Sequence, residues 1–113
     1  MINFALLGAG RIGKMHAQHI KNNANCKLIT VFDINKDNSN DVAELNNAKV
    51  ALSAEEAISD NNVDAVFIAS STPTHINYII KSAELGKPIL CEKPIDIEIN
   101  KVNECYDKIK TLK

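Results

Sequence analysis

A chain of 113 residues has room for one genuine hydrophobic core and is too short for a two-domain enzyme. Its 13 basic and 14 acidic residues are spread along the sequence, so a formal charge of −1 gives no electrostatic footprint for nucleic acid or an acidic membrane. The 45% apolar content is ordinary for a soluble globular chain, and its apolar stretches are strand-length, which predicts no transmembrane helix.

The first apolar run, Phe4-Ala5-Leu6-Leu7, predicts a strand that empties into Gly8-Ala9-Gly10-Arg11-Ile12-Gly13. A helix is predicted over 11–22, with Ile12, Met15, His16, His19 and Ile20 on neighbouring positions of one side. A second strand, Leu28-Ile29-Thr30-Val31-Phe32, ends in Asp33, twenty positions after Gly13. Strand, glycine turn, helix, strand and acidic residue in this register are the dinucleotide-binding fingerprint. Each part has a physical task. Gly8 allows a tight turn, Gly10 leaves room for a pyrophosphate against the backbone, and Gly13 lets the helix lie close on the sheet. The unpaired amides at the helix start, with its positive dipole end, suit a diphosphate. Asp33 can accept hydrogen bonds from an adenosine ribose diol and would repel a 2′-phosphate, which points to NAD rather than NADP. Lys36 is the one residue of the adjoining loop that softens this preference. The alternative is a glycine turn in an unrelated α/β domain.

Further along, 34–40 reads as a loop leading to a short helix around 41–46, and Lys49-Val50-Ala51-Leu52 as a third strand. Ser53 is placed to cap a helix with Glu55 and Glu56 in its first turn. Val63-Asp64-Ala65-Val66-Phe67-Ile68-Ala69 is a near-continuous apolar run, as expected of a strand buried on both faces. Ser71 or Thr72 would cap the next helix, with Pro73 at its first position, and that helix would end at Gly86. Lys87-Pro88-Ile89-Leu90-Cys91 is a fifth strand; Asp96 would cap a final helix with Val102, Cys105, Ile109 and Leu112 inward. Five strands alternating with helices predict a doubly wound α/β (Rossmann) parallel sheet in the order 3-2-1-4-5, with helices on both faces. The order reverses between strands one and four. A ligand crevice is expected at their carboxyl ends, where residues 8–13, Asp33, 70–75 and 92–94 converge.

Three motifs resemble one family. Ala83-Glu84-Leu85-Gly86-Lys87-Pro88-Ile89-Leu90-Cys91-Glu92-Lys93-Pro94 is similar to the stretch that leads out of the fifth strand in the Gfo/Idh/MocA oxidoreductases. Met15-His16 after the glycine loop and Thr72-Pro73-Thr74-His75 after strand four resemble the same family. The Cys91-Glu92-Lys93-Pro94-Ile95-Asp96 and Thr-His segments most resemble its inositol 2-dehydrogenase branch. The resemblance covers all 113 residues. It implies hydride transfer between the hydroxyl carbon of a polyol or sugar and NAD. It also implies that Lys93 orients the substrate hydroxyl and tunes proton transfer, and that Glu92 lines the cofactor. The candidate cofactor set is therefore Gly8, Gly10, Arg11, Ile12, Gly13, Asp33, Ser70, Ser71, Thr72, Pro73, His75, Glu92, Lys93 and Pro94, with Lys93 the candidate catalytic group.

Plainer readings stand beside these. Glu92-Lys93 is otherwise a polar strand exit, Arg11 either lies over the pyrophosphate or is solvated, and His75 packs against its loop. His16 and His19 are spaced to share a metal, but no third ligand is in view and no metal is expected. Cys26, Cys91 and Cys105, odd in number and without ligand-like spacing, read as free thiols packed as small apolar groups in a reducing cytoplasm. Met1-Ile2-Asn3-Phe4 lacks a secretory signal pattern. Family members continue into a substrate domain, so the chain is expected to be a truncated product or fragment without a complete active site. Its exposed fifth-strand edge is expected to promote self-association. The competing functions are a stand-alone nucleotide-binding module and an inactive remnant.

Overall fold

Backbone pairing joins five parallel strands into one sheet, β3-β2-β1-β4-β5, the order expected from the alternating pattern. The computed structural model describes residues 1–93, 95–96 and 98–110. In chain order these form β1 (Ile2–Leu7), α1 (Arg11–Asn22), β2 (Cys26–Phe32), α2 (Lys36–Asn46), β3 (Lys49–Val50), α3 (Ala54–Ser59) and β4 (Ala65–Ile68). A 3₁₀ turn (Thr72–Thr74), α4 (His75–Glu84), β5 (Ile89–Cys91) and α5 (Ile99–Ile109) follow.

The continuous apolar runs of β1 and β4 follow from cover on both faces. Phe4, Leu6 and Ala65 join Ala17 and Ile20 of α1 and Val42 and Ala43 of α2 in one core. Ala5, Leu7, Val66 and Ile68 join Ala54, Ala57 and Ile58 of α3, Ile79 of α4 and Cys105 of α5 in the other. Right-handed crossovers place successive helices on opposite faces once the strand order reverses.

Several local expectations change. α2 begins at Lys36, five residues earlier than the polar composition suggested. The Asn35 side chain accepts from the Asp37 amide at 3.0 Å, so a side-chain cap starts the helix through residues of modest helix propensity. On α1, Gly13, Ala17 and Ile20 are buried, whereas Ile12 and Met15 are 44% and 46% exposed. The helix lies so close to the glycine turn that small residues, not the large apolar ones, face the sheet. The 3₁₀ turn delays α4 to His75, and α4 stops at Glu84, ahead of Gly86. Asp96 does not cap α5 directly. Its Oδ1 accepts from the Glu98 amide at 3.0 Å, an Asx turn that leads into Ile99. Of the expected inward residues of α5, Cys105 is buried and Val102 and Ile109 are half-buried; Leu112 lies outside the described residues. Ser53 caps α3 as expected, its Oγ accepting from Glu56 N at 3.0 Å, while Glu56 Oε2 accepts from Leu52 N.

Candidate cofactor cleft

β1 and β2 end side by side, with the Gly8 amide donating to the Phe32 carbonyl at 2.8 Å. On its other side β1 meets β4, where the Ala69 amide donates to the Leu7 carbonyl at 2.7 Å. The strand order reverses here, and a cleft of about 250 Å³ opens at these carboxyl ends. Gly8, Gly10, Asp33, Ile34, Ser70 and Tyr78 line it, with Phe32, Ala69, Ser71 and Thr74.

The three glycines have separate reasons to be glycine. Gly8 has φ +99°, and a Cβ there would lie 2.4 Å from Ser70 N, so the turn is pressed against the exit of β4. A Cβ on Gly13 would lie 2.0 Å from the Gly8 carbonyl oxygen, so α1 sits directly on the turn. A Cβ on Gly10 would meet nothing within 4 Å among the described residues. The space above Gly10 is open cleft, where a side chain would take the room of a ligand's phosphates. Gly10 is also the N-cap of α1 and supplies no side chain to the first-turn amides, which leaves those donors to an anion.

Asp33 is built into this turn. Its Oδ2 accepts from the Ala9 amide at 2.6 Å and its Oδ1 from the Asn35 amide at 2.8 Å. Two amides fix the carboxylate at the end of β2, and a carboxylate with about four acceptor sites keeps capacity for two ribose hydroxyls. The residues present therefore fit a dinucleotide: open space over Gly10, uncapped amides beyond it, and a fixed anion at the ribose position.

The segment after β4 is ordered by its own hydroxyls. Thr74 Oγ1 donates to the Ser71 carbonyl at 2.6 Å, so Ser70 Oγ, 2.7 Å away, is the donor to Thr74. His75 is buried, with Nε2 donating to the Ser70 carbonyl at 2.8 Å, and its ring supports the rim from beneath. Ser70 and Ser71 thus reach the cleft, whereas Thr72 and Pro73 line a separate groove with Asp96 and Lys101 of the α5 side. Arg11 and Ile12 are exposed on the first turn of α1. Lys93 is exposed just beyond β5, and Pro94 lies outside the described residues. The Glu92 carboxylate is turned onto His16, with Oε2 3.1 Å from Nε2.

Tyr78 and Ile34 are cleft residues the sequence reading did not single out. Burial, then the charges of Glu55 and Asp33, push the Tyr78 hydroxyl above its ordinary range, so it stays a neutral donor. Its signal was available: Tyr78 stands four residues after Thr74, one helical turn along the face that reaches the rim. Burial, reinforced by Glu92 and Cys105, pushes the Cys91 thiol up to about 11, which keeps it protonated and unreactive. Among the described residues no three His, Cys, Asp or Glu side chains group as a metal site. Nor is any described helix long and apolar enough to cross a membrane.

Comparison with known proteins agrees with this geometry. The sequence model of the Gfo/Idh/MocA oxidoreductases, described as an oxidoreductase family with an NAD-binding Rossmann fold, matches residues 2–113. An inositol 2-dehydrogenase of Rhizobium meliloti is 39% identical over 113 residues, covering 99% of this chain and 34% of that protein. A scyllo-inositol 2-dehydrogenase (NAD(+)) of Bacillus subtilis is 36% identical over 111 residues, covering 96% of this chain and 32% of its own length. The crystal structure of a myo-inositol dehydrogenase from Corynebacterium glutamicum superposes with a TM-score of 0.92 at 38% identity, over 98% of this chain and 33% of that one. The chain spans about a third of the length of the relatives it matches.

Proposed function

The chain belongs to the Gfo/Idh/MocA oxidoreductase family with its NAD-binding Rossmann fold, and we propose that it forms the cofactor half of an NAD-dependent dehydrogenase acting on a cyclic polyol or similar sugar alcohol. The observation that carries this reading is Asp33, pinned by the Ala9 and Asn35 amides at the rim of the cleft. A carboxylate so fixed accepts from a ribose diol and repels a 2′-phosphate, so NAD is preferred to NADP. The names of relatives at 36–39% identity support the polyol class.

When bound, NAD supplies the hydride acceptor. The chain's own residues do the rest of the work available to them. The α1 first-turn amides, with Arg11 and Ile12 beside them, receive the pyrophosphate over the open Gly10 position. Ser70 and Ser71 border the crevice on the β4 side, and Tyr78 closes it beyond them. Lys93, exposed at the exit of β5, orients the substrate hydroxyl, and its ammonium stabilises negative charge as the hydroxyl proton leaves. Substrate positioning and the paired proton acceptor come from outside residues 1–113 in this reading, so this segment alone binds cofactor without turnover.

The test is direct. Purified 1–113 mixed with saturating NAD and myo-inositol is expected to bind NAD and to produce no NADH absorbance. Turnover by this segment alone would overturn the incompleteness, and failure to bind NAD would overturn the cofactor assignment.

A further inference from the structure

His16 and Glu92 are 76 positions apart, yet their side chains meet at 3.1 Å, joining the glycine-turn helix to the exit of β5. The contact is well supported. The His16 ring packs on Phe67 of β4, tilted by 34° with centroids 4.3 Å apart, and the His19 ring lies edge-on to His16 with centroids 6.0 Å apart. The Glu92 amide donates to the Ile68 carbonyl at 2.9 Å, making Glu92 the last residue held by the β4–β5 ladder. Lys93 is the first residue beyond it. Against a carboxylate, Nε2 must be the donor, and such a charge-assisted bond is stronger than a neutral one.

A dinucleotide spans the crevice from one side of the strand reversal to the other. With the adenosine ribose at Asp33 on the β2 side, the second nucleoside lies toward β4 and β5, where Glu92 and Lys93 are. His16 sits five residues after Arg11, about 7.5 Å along the helix axis from the start of α1. One rigid helix therefore carries the phosphate donors at its start and the clamp on Glu92 further in. We infer that His16 is a positioning residue: by holding the Glu92 carboxylate it fixes the Glu92-Lys93 turn against the phosphate site and so orders the nicotinamide half of the bound cofactor. The inference rests on the reading of the cleft as a dinucleotide site.

The experiment separates the two halves of the ligand. Purified 1–113, His16→Leu, His16→Gln and Glu92→Ala are titrated with NADH, read by its fluorescence, and with ADP-ribose, read by calorimetry. The parent is expected to bind NADH more tightly than ADP-ribose. His16→Leu replaces the ring contact on Phe67 with aliphatic packing and has no donor, and roughly a tenfold loss in NADH affinity is expected, with ADP-ribose unchanged within twofold. Glu92→Ala, at an accessible strand exit, is expected to show the same split without disturbing the core. His16→Gln places an amide donor near the former Nε2 and is expected to recover most of the NADH affinity. Unchanged NADH binding in Glu92→Ala, equal loss of both ligands in that variant, or a folded His16→Gln as weak as His16→Leu would each overturn the positioning role. A parent chain that binds neither ligand would overturn the cofactor reading itself, and this inference with it.

Discussion

Replacing Gly13 with Ala sets two opposing effects against each other at one methyl group. Alanine is the better helix former by about 1 kcal/mol, so on propensity alone the change stabilises α1. The added Cβ, however, would lie 2.0 Å from the Gly8 carbonyl oxygen and 2.8 Å from its carbon, both backbone atoms. Relief needs a shift of roughly 1 Å or more between α1 and the turn, and Ala17 and Ile20 on the same face are already buried. Overpacking of a well-packed site costs about 1–3 kcal/mol and occasionally more, and a clash with backbone belongs at the upper end. A net loss of about 2 kcal/mol is expected. For a domain of 113 residues an unfolding entropy of about 0.24 kcal/mol/K makes that a fall in Tm of about 8 °C. Gly10→Val is the control with the opposite profile. Gly10 has φ −76° and, among the described residues, no neighbour within 4 Å of a Cβ, so the chain should stay folded, losing no more than about 1 kcal/mol at the helix N-cap, while NAD binding is abolished. Thermal circular dichroism with NAD titration of both variants checks the pair. A Gly13→Ala chain as stable as the parent would refute the close-approach argument.

Other expectations follow from single groups. Thr30 Oγ1 is fully buried and has no hydrogen-bond partner among the described residues, so Thr30→Val should raise stability by about 1 kcal/mol, or about 4 °C in Tm; a lower Tm would mean the hydroxyl is satisfied. Asp60 is held below its ordinary carboxyl range by its bond to Lys49 at 2.7 Å and by the Asn62 amide. That stabilisation is present above about pH 4 and is lost as the pH falls through the lowered folded value. Asp60→Asn should therefore be less stable than the parent in urea at neutral pH, with the gap narrowing as the pH falls below about 4; a pH-independent gap would refute the assignment. β5 pairs only with β4 among the described residues, and Leu90 and Ile95 are 52% and 39% exposed. Concentration-dependent self-association is expected in sedimentation, and a strict monomer at high concentration would contradict it.

The strand order and the glycine turn were legible because they depend on local pattern. Buried parallel strands must be apolar on both faces, and only glycine meets the positive φ at position 8 and the close approach at position 13. Asp33 was legible through its distance from the turn, although its bond to Ala9 N was not. What stayed hidden depended on approach or on partners distant in sequence. The face of α1 was misread because its closeness to the turn selects Gly13 and Ala17 over Ile12 and Met15. The start of α2 was missed because one side-chain cap outweighs five polar residues. The placement of Thr72 and Pro73 away from the cleft follows from the 3₁₀ turn that precedes α4. His16 was read as a residue of one side of α1 spaced to share a metal with His19, because nothing local marks a partner at position 92.

In the proposed function, Asp33 makes this cleft an NAD site. Calorimetric titration of 1–113 and Asp33→Ala with NAD and NADP tests it most directly. The parent is expected to bind NAD more tightly than NADP, and Asp33→Ala to weaken NAD binding and shrink the difference together, because one carboxylate supplies both effects. Equal or tighter binding of NADP by the parent, or unchanged discrimination after Asp33→Ala, would contradict the account.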